Sequence, residues 1–234
     1  MKLKIKNKII YFYRQIFSKE LRIIIKKLIK FFYYKLRFIN LKLYLIFSNN
    51  HVNLILGAAL TKQNRWFSTN EEWLDISKEK DWERLFNSKK RVRRILAEHV
   101  FEHLTLEEMQ NALNLIHKNM ILGGSLRVAV PDGNNPNNEY RKNCGIKGIG
   151  PDASDHKQFI TFELLKEEAS KVGFEVDLIE GYLENKKLVV KQFDYDLGYI
   201  MRSRSNFKNS FSKEGWDFPD ANTSLIVDFF KLTN

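Results

Sequence analysis

The sequence predicts an α/β fold: a mainly parallel sheet of seven strands, preceded by a basic helical extension. Three observations predict it. Beyond residue 50, short apolar runs alternate with helical stretches, the pattern of βαβ units and hence of a parallel sheet. Within that region Ile95-Leu96-Ala97 delivers Glu98-His99, a polar helix follows, and Gly123-Gly124 feeds a second strand ending in Pro131-Asp132. The third observation is the charge. Residues 1–50 hold ten Lys and three Arg against one acid, Glu20, a net of +12, so the remainder carries −1 of the total of +11. An excess confined to one end marks an interaction arm and leaves the rest of the chain neutral.

The arm, residues 1–50, alternates Lys and Arg with Ile, Leu, Phe and Tyr, without Pro or Gly. No apolar run in it reaches the roughly 18–20 residues that span a bilayer. Stretches such as Leu43–Phe47 are also shorter than the core of a secretion signal, about 7–15 residues. From Arg14 to Lys30 the cations Lys19, Arg22, Lys26 and Lys30 recur every three or four residues, so they share one face of a helix. Ile16, Phe17, Ile24, Leu28 and Phe31 lie largely elsewhere on it. Such a helix suits an anionic membrane surface, where each cation contributes about 1 kcal/mol. Two other readings stand beside it. The apolar face could pack on the domain with the lysines solvated. The clusters Tyr11-Phe12-Tyr13 and Phe31-Phe32-Tyr33-Tyr34 could stack on nucleic acid. No nucleic-acid motif accompanies them, so a nucleic-acid partner is not expected, and residues 1–47 are assigned to a membrane surface.

Ser48-Asn49-Asn50 is a polar break, which places the domain at residues 51–234. Its strand candidates are Val52–Leu56, Trp66–Thr69, Trp73–Ile76, Ile95–Ala97, Ser125–Val130, Phe174–Glu180 and Thr223–Phe229. Helices are expected over Asp81–Phe86, Leu106–Asn119 and Thr161–Val172, with Thr105 and Glu108 forming a capping box and Gly173 ending the third. Two long loops remain, Gly133 to about Gln158 and Tyr182 to Asn222, the second containing Arg202-Ser203-Arg204-Ser205. The single Cys144 excludes an internal disulfide and fits a reducing compartment. A cytoplasmic protein, peripheral on the inner face of the membrane, is the expectation.

The motifs resemble those of class I methyltransferases that use S-adenosylmethionine. The likeness runs from about Val52 to Phe230. It is carried by Leu56-Gly57-Ala58-Ala59 after the first strand, Ala97-Glu98 at the end of the fourth, and Leu122-Gly123-Gly124 before the fifth. Ala129–Gly133, Gly148–Lys157, Tyr199–Phe207 and Thr223–Asp228 resemble a methyltransferase type 11-like branch of bacteria and plants. The resemblance implies a Rossmann-like, doubly wound sheet and S-adenosylmethionine as cofactor. It implies that Leu56, Gly57, Ala58 and Ala59 form the cofactor turn, Asn70 meets the ribose, Asp75 and Ile76 meet the adenine, and Ala97 borders the methyl site. The chain departs from the pattern in three places: Ala59 replaces a glycine, Asn70 a carboxylate, and Leu122 a proline. The first two leave open an inactive methyltransferase-like scaffold docked through the arm.

Methyl transfer to a hydroxyl is helped by a general base, a role suited to neutral histidine. His99 and His156 are the candidates, with Glu98 or Asp155 orienting them. Glu102 and His103 read as the cap or the start of the following helix, and Asp132 reads equally as a turn residue or a substrate ligand. Arg202 and Arg204 read as a solvated loop or as ligands of an anionic substrate. His99-Val100-Phe101-Glu102-His103 also matches the H-x-x-E-H pattern of inverted zinc peptidases. A strand leading into the motif and the lack of a placed third ligand argue against that chemistry, so no metal is expected. The expected acceptor is a small molecule or a glycan- or lipid-linked hydroxyl.

Overall fold

The computed structural model describes residues 18–200 and 224–232, except 60, 88, 90, 151 and 152. Ile16, Phe17, the Tyr11–Tyr13 cluster, Arg202 and Arg204 lie outside the described residues. The chain divides into two compact units, residues 1–43 and 44–234.

Helix α1, Lys19–Phe47, is a single stretch of 29 residues, longer than the Arg14–Lys30 pattern suggested because nothing in the sequence breaks it before Ser48. Its last turn belongs to the second unit. There Tyr44 packs its ring on Phe67 at 5.0 Å, and the Arg91 guanidinium donates to the carbonyls of Leu45, Ser48 and Asn50 at 2.5–2.7 Å. Within its own unit the helix keeps Leu21, Ile24, Leu28, Phe31 and Phe32 exposed. Among the described residues, no helix is long and apolar enough to cross a membrane.

The second unit is built on a seven-stranded sheet of β1 (Val52–Leu56), β2 (Phe67–Ser68), β3 (Val92–Glu98), β4 (Met120–Pro131), β5 (Glu175–Tyr182), β6 (Leu188–Val190) and β7 (Ser224–Lys231). The order is β2-β1-β3-β4-β7-β5-β6. β2, β1, β3 and β4 are parallel, β7 enters antiparallel between β4 and β5, and β6 closes a hairpin on β5. This is the Rossmann-like sheet expected. The chain leaves β1 for β2 on one side and returns to β3 on the other, so the order reverses at β1. Crevices for ligands open at the carboxyl ends of strands at such a point.

Helices α2 (Glu79–Phe86), α3 (Leu106–Asn119), α4 (Asn138–Cys144) and α5 (Phe162–Lys171) complete the unit. On α3 the capping box forms as expected: Glu108 N–H donates to Thr105 Oγ1 at 3.2 Å and Thr105 N–H to Glu108 Oε2 at 2.7 Å. Phe174, just past α5, lays its ring against His117 of α3 and Phe229 of β7, which fixes the sheet face these helices cover. On the alternate positions Ile55, Leu96, Ala129 and Ile226 form a second buried core under Trp66, Phe193 and Ile200. Arg127 rises from this face and is held by Asp228 of the neighbouring strand through two hydrogen bonds of 2.6 Å. It also donates to Asp194 O and Gly198 O at 2.6 Å, stacks 4.1 Å from Phe193, and so ties down the covering segment.

Three expectations are corrected. Trp73–Ile76 is a turn and not a strand. Trp73 and Leu74 N–H donate to Asn70 O, the Asp75 carboxylate accepts from Ser77, and the Trp82 indole takes Ile76 O, so local bonds and α2 outcompete sheet pairing. The seventh strand is instead β6, inside the predicted Tyr182–Asn222 loop, which also holds a 3₁₀ turn at Tyr195–Leu197. The predicted Gly133–Gln158 loop contains α4, whose N-cap Asn137 accepts from Glu139 and Tyr140 N–H.

Candidate functional site at the carboxyl end of the sheet

The first wall of the site is the end of β1. Leu56 is in register with Ala97 of β3, and the chain then turns through Gly57, whose φ of +54° favours glycine. A Cβ there would stand 2.7 Å from Val100 Cγ2. Ala58 N–H donates to Thr69 O and Thr69 N–H to Ile55 O, both at 2.8 Å, which draws the end of β2 against this turn. Ala59 occupies a left-handed conformation, φ +45°, that an L residue adopts with strain.

Asn70 follows directly. It is 5% exposed, and among the described residues neither its Oδ1 nor its Nδ2 has a hydrogen-bond partner. A buried amide left in that state costs about 1–3 kcal/mol. Its neighbours are different. Asp75 is engaged with Ser77 and with Lys78 Nζ at 2.6 Å. Partial burial opposes ionisation of its carboxyl, but these bonds hold it below the usual range. Ile76 is buried and gives its carbonyl to Trp82. Asp75 and Ile76 thus belong to the turn that precedes α2.

The second wall follows β3. Glu98 is buried beside Ala129 of β4, and His99 N–H extends the ladder by donating to Ala129 O at 2.9 Å. His99 then takes φ +54°, turning the chain into the 3₁₀ turn Phe101–His103. Glu102 and His103 therefore do not cap α3, which Thr105 does. Their side chains join the site. Glu102 is 1% exposed; its Oε1 lies 2.9 Å from His99 Nδ1 and its Oε2 has no hydrogen-bond partner among the described residues. A carboxylate of this kind only accepts, so a neutral His99 carries its proton on Nδ1.

The third wall arrives from the long loop. Lys157 and Gln158 N–H donate to Glu102 O at 2.8 and 3.2 Å, Gln158 Nε2 donates to Leu104 O at 2.7 Å, and Lys157 Nζ reaches Glu108 Oε2 at 2.8 Å. This clamp sets Asp155 Oδ1 3.2 Å from His103 Nδ1 and stacks His156 edge-on to His103, ring centroids 4.8 Å apart. His156 Nδ1 points at Cys144 O, 2.9 Å away. Asp132 takes a tying role, accepting from Asn134 N–H at 2.8 Å and Tyr182 N–H at 2.7 Å. Burial pushes its carboxyl above the usual range, with those two bonds opposing.

His99, Asp155 and His156, predicted from sequence, thus come together. Glu98 stands at the strand end behind them, and Asn70 lies with the Gly57 turn on the adjoining wall. Glu102 and His103, read from sequence only as capping or beginning a helix, join the cluster, and the His-x-x-Glu-His spacing was the available signal.

No family model matches the chain, and no curated protein matches it. Among solved structures, the chain is similar to an S-adenosylmethionine-dependent methyltransferase of Thermotoga maritima, described as a possible histamine N-methyltransferase. Identity is 14%, coverage is 90% of this chain and 97% of that one, and the TM-score is 0.44. It is also similar to a methyltransferase of the same cofactor dependence from Archaeoglobus fulgidus, with 16% identity, coverage of 83% and 92%, and a TM-score of 0.43. These neighbours are the kind of protein that the sequence motifs resemble. At such identities the likeness is one of fold.

Proposed function

We propose that the chain transfers a methyl group from S-adenosylmethionine to a hydroxyl of a small or glycan- or lipid-linked acceptor, working at an anionic membrane surface. The observation that carries the cofactor is Asn70. A ribose diol both donates and accepts, so it would satisfy the two amide atoms that have no partner among the described residues. The Gly57 turn beside it and the strand-order reversal at β1 support the same assignment.

Bound there, S-adenosylmethionine would supply an electrophilic methyl group to the acceptor oxygen and leave as the thioether S-adenosylhomocysteine. His99 Nε2 takes the acceptor's proton as general base, and Glu102 replaces Glu98 or Asp155 as the group that orients it. Leu56, Gly57, Ala58, Ala59 and Ala97 line the wall against the cofactor. Asp75 and Ile76 contribute their turn rather than free side chains. The membrane half of the proposal rests on α1, with Lys19, Arg22, Lys26 and Lys30 on one face and Ile24, Leu28 and Phe31 exposed on another.

One observation favours a second reading, a scaffold without activity: Ala59 carries a Cβ where the family has none. Calorimetric titration of the full chain with S-adenosylmethionine separates the two. Binding in the micromolar range, abolished by Gly57→Arg in a protein with an unchanged circular dichroism spectrum, is expected. A folded chain that binds nothing would make the scaffold the better reading. Co-sedimentation with phosphatidylserine vesicles, lost in a Lys19/Arg22/Lys26/Lys30→Glu variant, tests the arm.

A further inference from the structure

We propose that Glu102, His103 and His156 are the ligands of a divalent transition-metal ion of the zinc class. One donor atom from each lies within 4.8 Å of the others. Donors around tetrahedral zinc, with bonds of about 2.0–2.1 Å, stand roughly 3.4 Å apart. The cluster therefore needs to close by about 1.5 Å at most. His103 is 31% exposed on its side chain and has room to make that movement.

The surroundings are arranged as a metal site requires. Metal-bound histidines pass their second ring N–H to a carbonyl or carboxylate, which fixes the tautomer and aims the other nitrogen at the ion. His156 does this with Cys144 O at 2.9 Å, which accepts only, so the proton is on Nδ1 and Nε2 carries the lone pair. His103 Nδ1 lies 3.2 Å from Asp155 Oδ1, an ion-pair contact without hydrogen-bond geometry. Glu102 Oε1 is occupied by His99, and Oε2 is buried without a hydrogen-bond partner among the described residues. Leaving a buried carboxylate atom unpaired costs several kcal/mol in the absence of a cation.

Two imidazoles and one carboxylate suit Zn²⁺ and its first-row neighbours better than Mg²⁺ or Ca²⁺, and three protein ligands leave a position open. Resting on the methyl-transfer reading, that position is the place for the acceptor oxygen. Glu102 bridges it to His99, so the ion lowers the pKa of the hydroxyl whose proton His99 removes.

The test is titration of the metal-free full chain with Zn²⁺, read by calorimetry, and with Co²⁺, read by its visible absorption. One equivalent is expected, with the intense tetrahedral Co²⁺ bands. Affinity should fall at least 100-fold in His156→Ala and Glu102→Gln and about 10–100-fold in Asp155→Asn, while His51→Ala leaves it unchanged. Asp155 is exposed and its conservative replacement keeps the fold. No stoichiometric binding by the folded protein, or binding equally tight in His156→Ala and Asp155→Asn, overturns the proposal. S-adenosylmethionine titrated into the same samples keeps the readings apart, because the cofactor site at Asn70 does not depend on these ligands. Cofactor binding without metal binding sinks the metal site alone; metal binding without cofactor binding supports the site and sinks its role in methyl transfer.

Discussion

Two clusters of buried polar groups sit on the same sheet and are finished differently. Arg127 and Asp228 form a closed set: the guanidinium makes four hydrogen bonds, two to the carboxylate and two to backbone carbonyls, and a ring covers its face. At the carboxyl ends of the strands, Asn70 and Glu102 are also buried but keep side-chain atoms without hydrogen-bond partners among the described residues. Folding satisfies the first cluster completely and leaves the second to be satisfied by something that binds. Burial alone does not separate a structural pair from a site, and unmet donors and acceptors do so only where the strand-end geometry supports them, since Arg91 Nε and Ser125 Oγ are also unmatched among the described residues.

The largest effect in that comparison is expected at the closed pair. Arg127→Met strands a buried carboxylate and should cost about 3–5 kcal/mol in denaturant unfolding. The double replacement Arg127→Met, Asp228→Leu should recover much of that loss. If the single variant unfolds like the parent, the pair is not closed as described. The open cluster should respond with the opposite sign. Asn70→Leu removes an amide that has no partners and should raise the stability of the ligand-free protein by about 1–3 kcal/mol, while S-adenosylmethionine binding is lost. A variant that is both less stable and still binds would erase the distinction.

Two smaller effects sharpen it at the clamp that delivers His156. Thr105→Ala removes the cap of α3 and should lower stability by about 1 kcal/mol. Lys157→Met should cost a few tenths of a kcal/mol at most, since the pair with Glu108 is exposed. The Lys157 hydrogen bond is the first cause holding the Glu108 carboxyl below its usual range. A depressed carboxyl contributes stability above its unfolded pKa and loses it as the pH falls through the folded value. The parent should therefore lose slightly more stability than Lys157→Met on acidification through the glutamate range, measured as Tm against pH.

The fold was legible where local rules and tertiary demand agree. β1 and α3 fall at the predicted residues, and the Thr105–Glu108 box forms, because apolar periodicity and capping act over a few residues. Trp73–Ile76 misled because an apolar run is shared by strands and buried turns, and Asn70 O with Trp82 decided between them. β6 escaped because a three-residue strand carries no period.

By itself, the sequence determined the basic arm, the run from β3 through α3 into β4, the Gly57 turn and the pairing of Glu98 with His99 at a strand end. These follow from charge, spacing and glycine's freedom, all local properties. Only the tertiary structure decided that Glu102 and His103 face His156, more than fifty positions away, and that Asn70 and Glu102 are left unmet. A side chain's partners are set by which segments fold against it, and the Lys157–Gln158 clamp on Glu102 and Leu104 is a contact that no local pattern encodes.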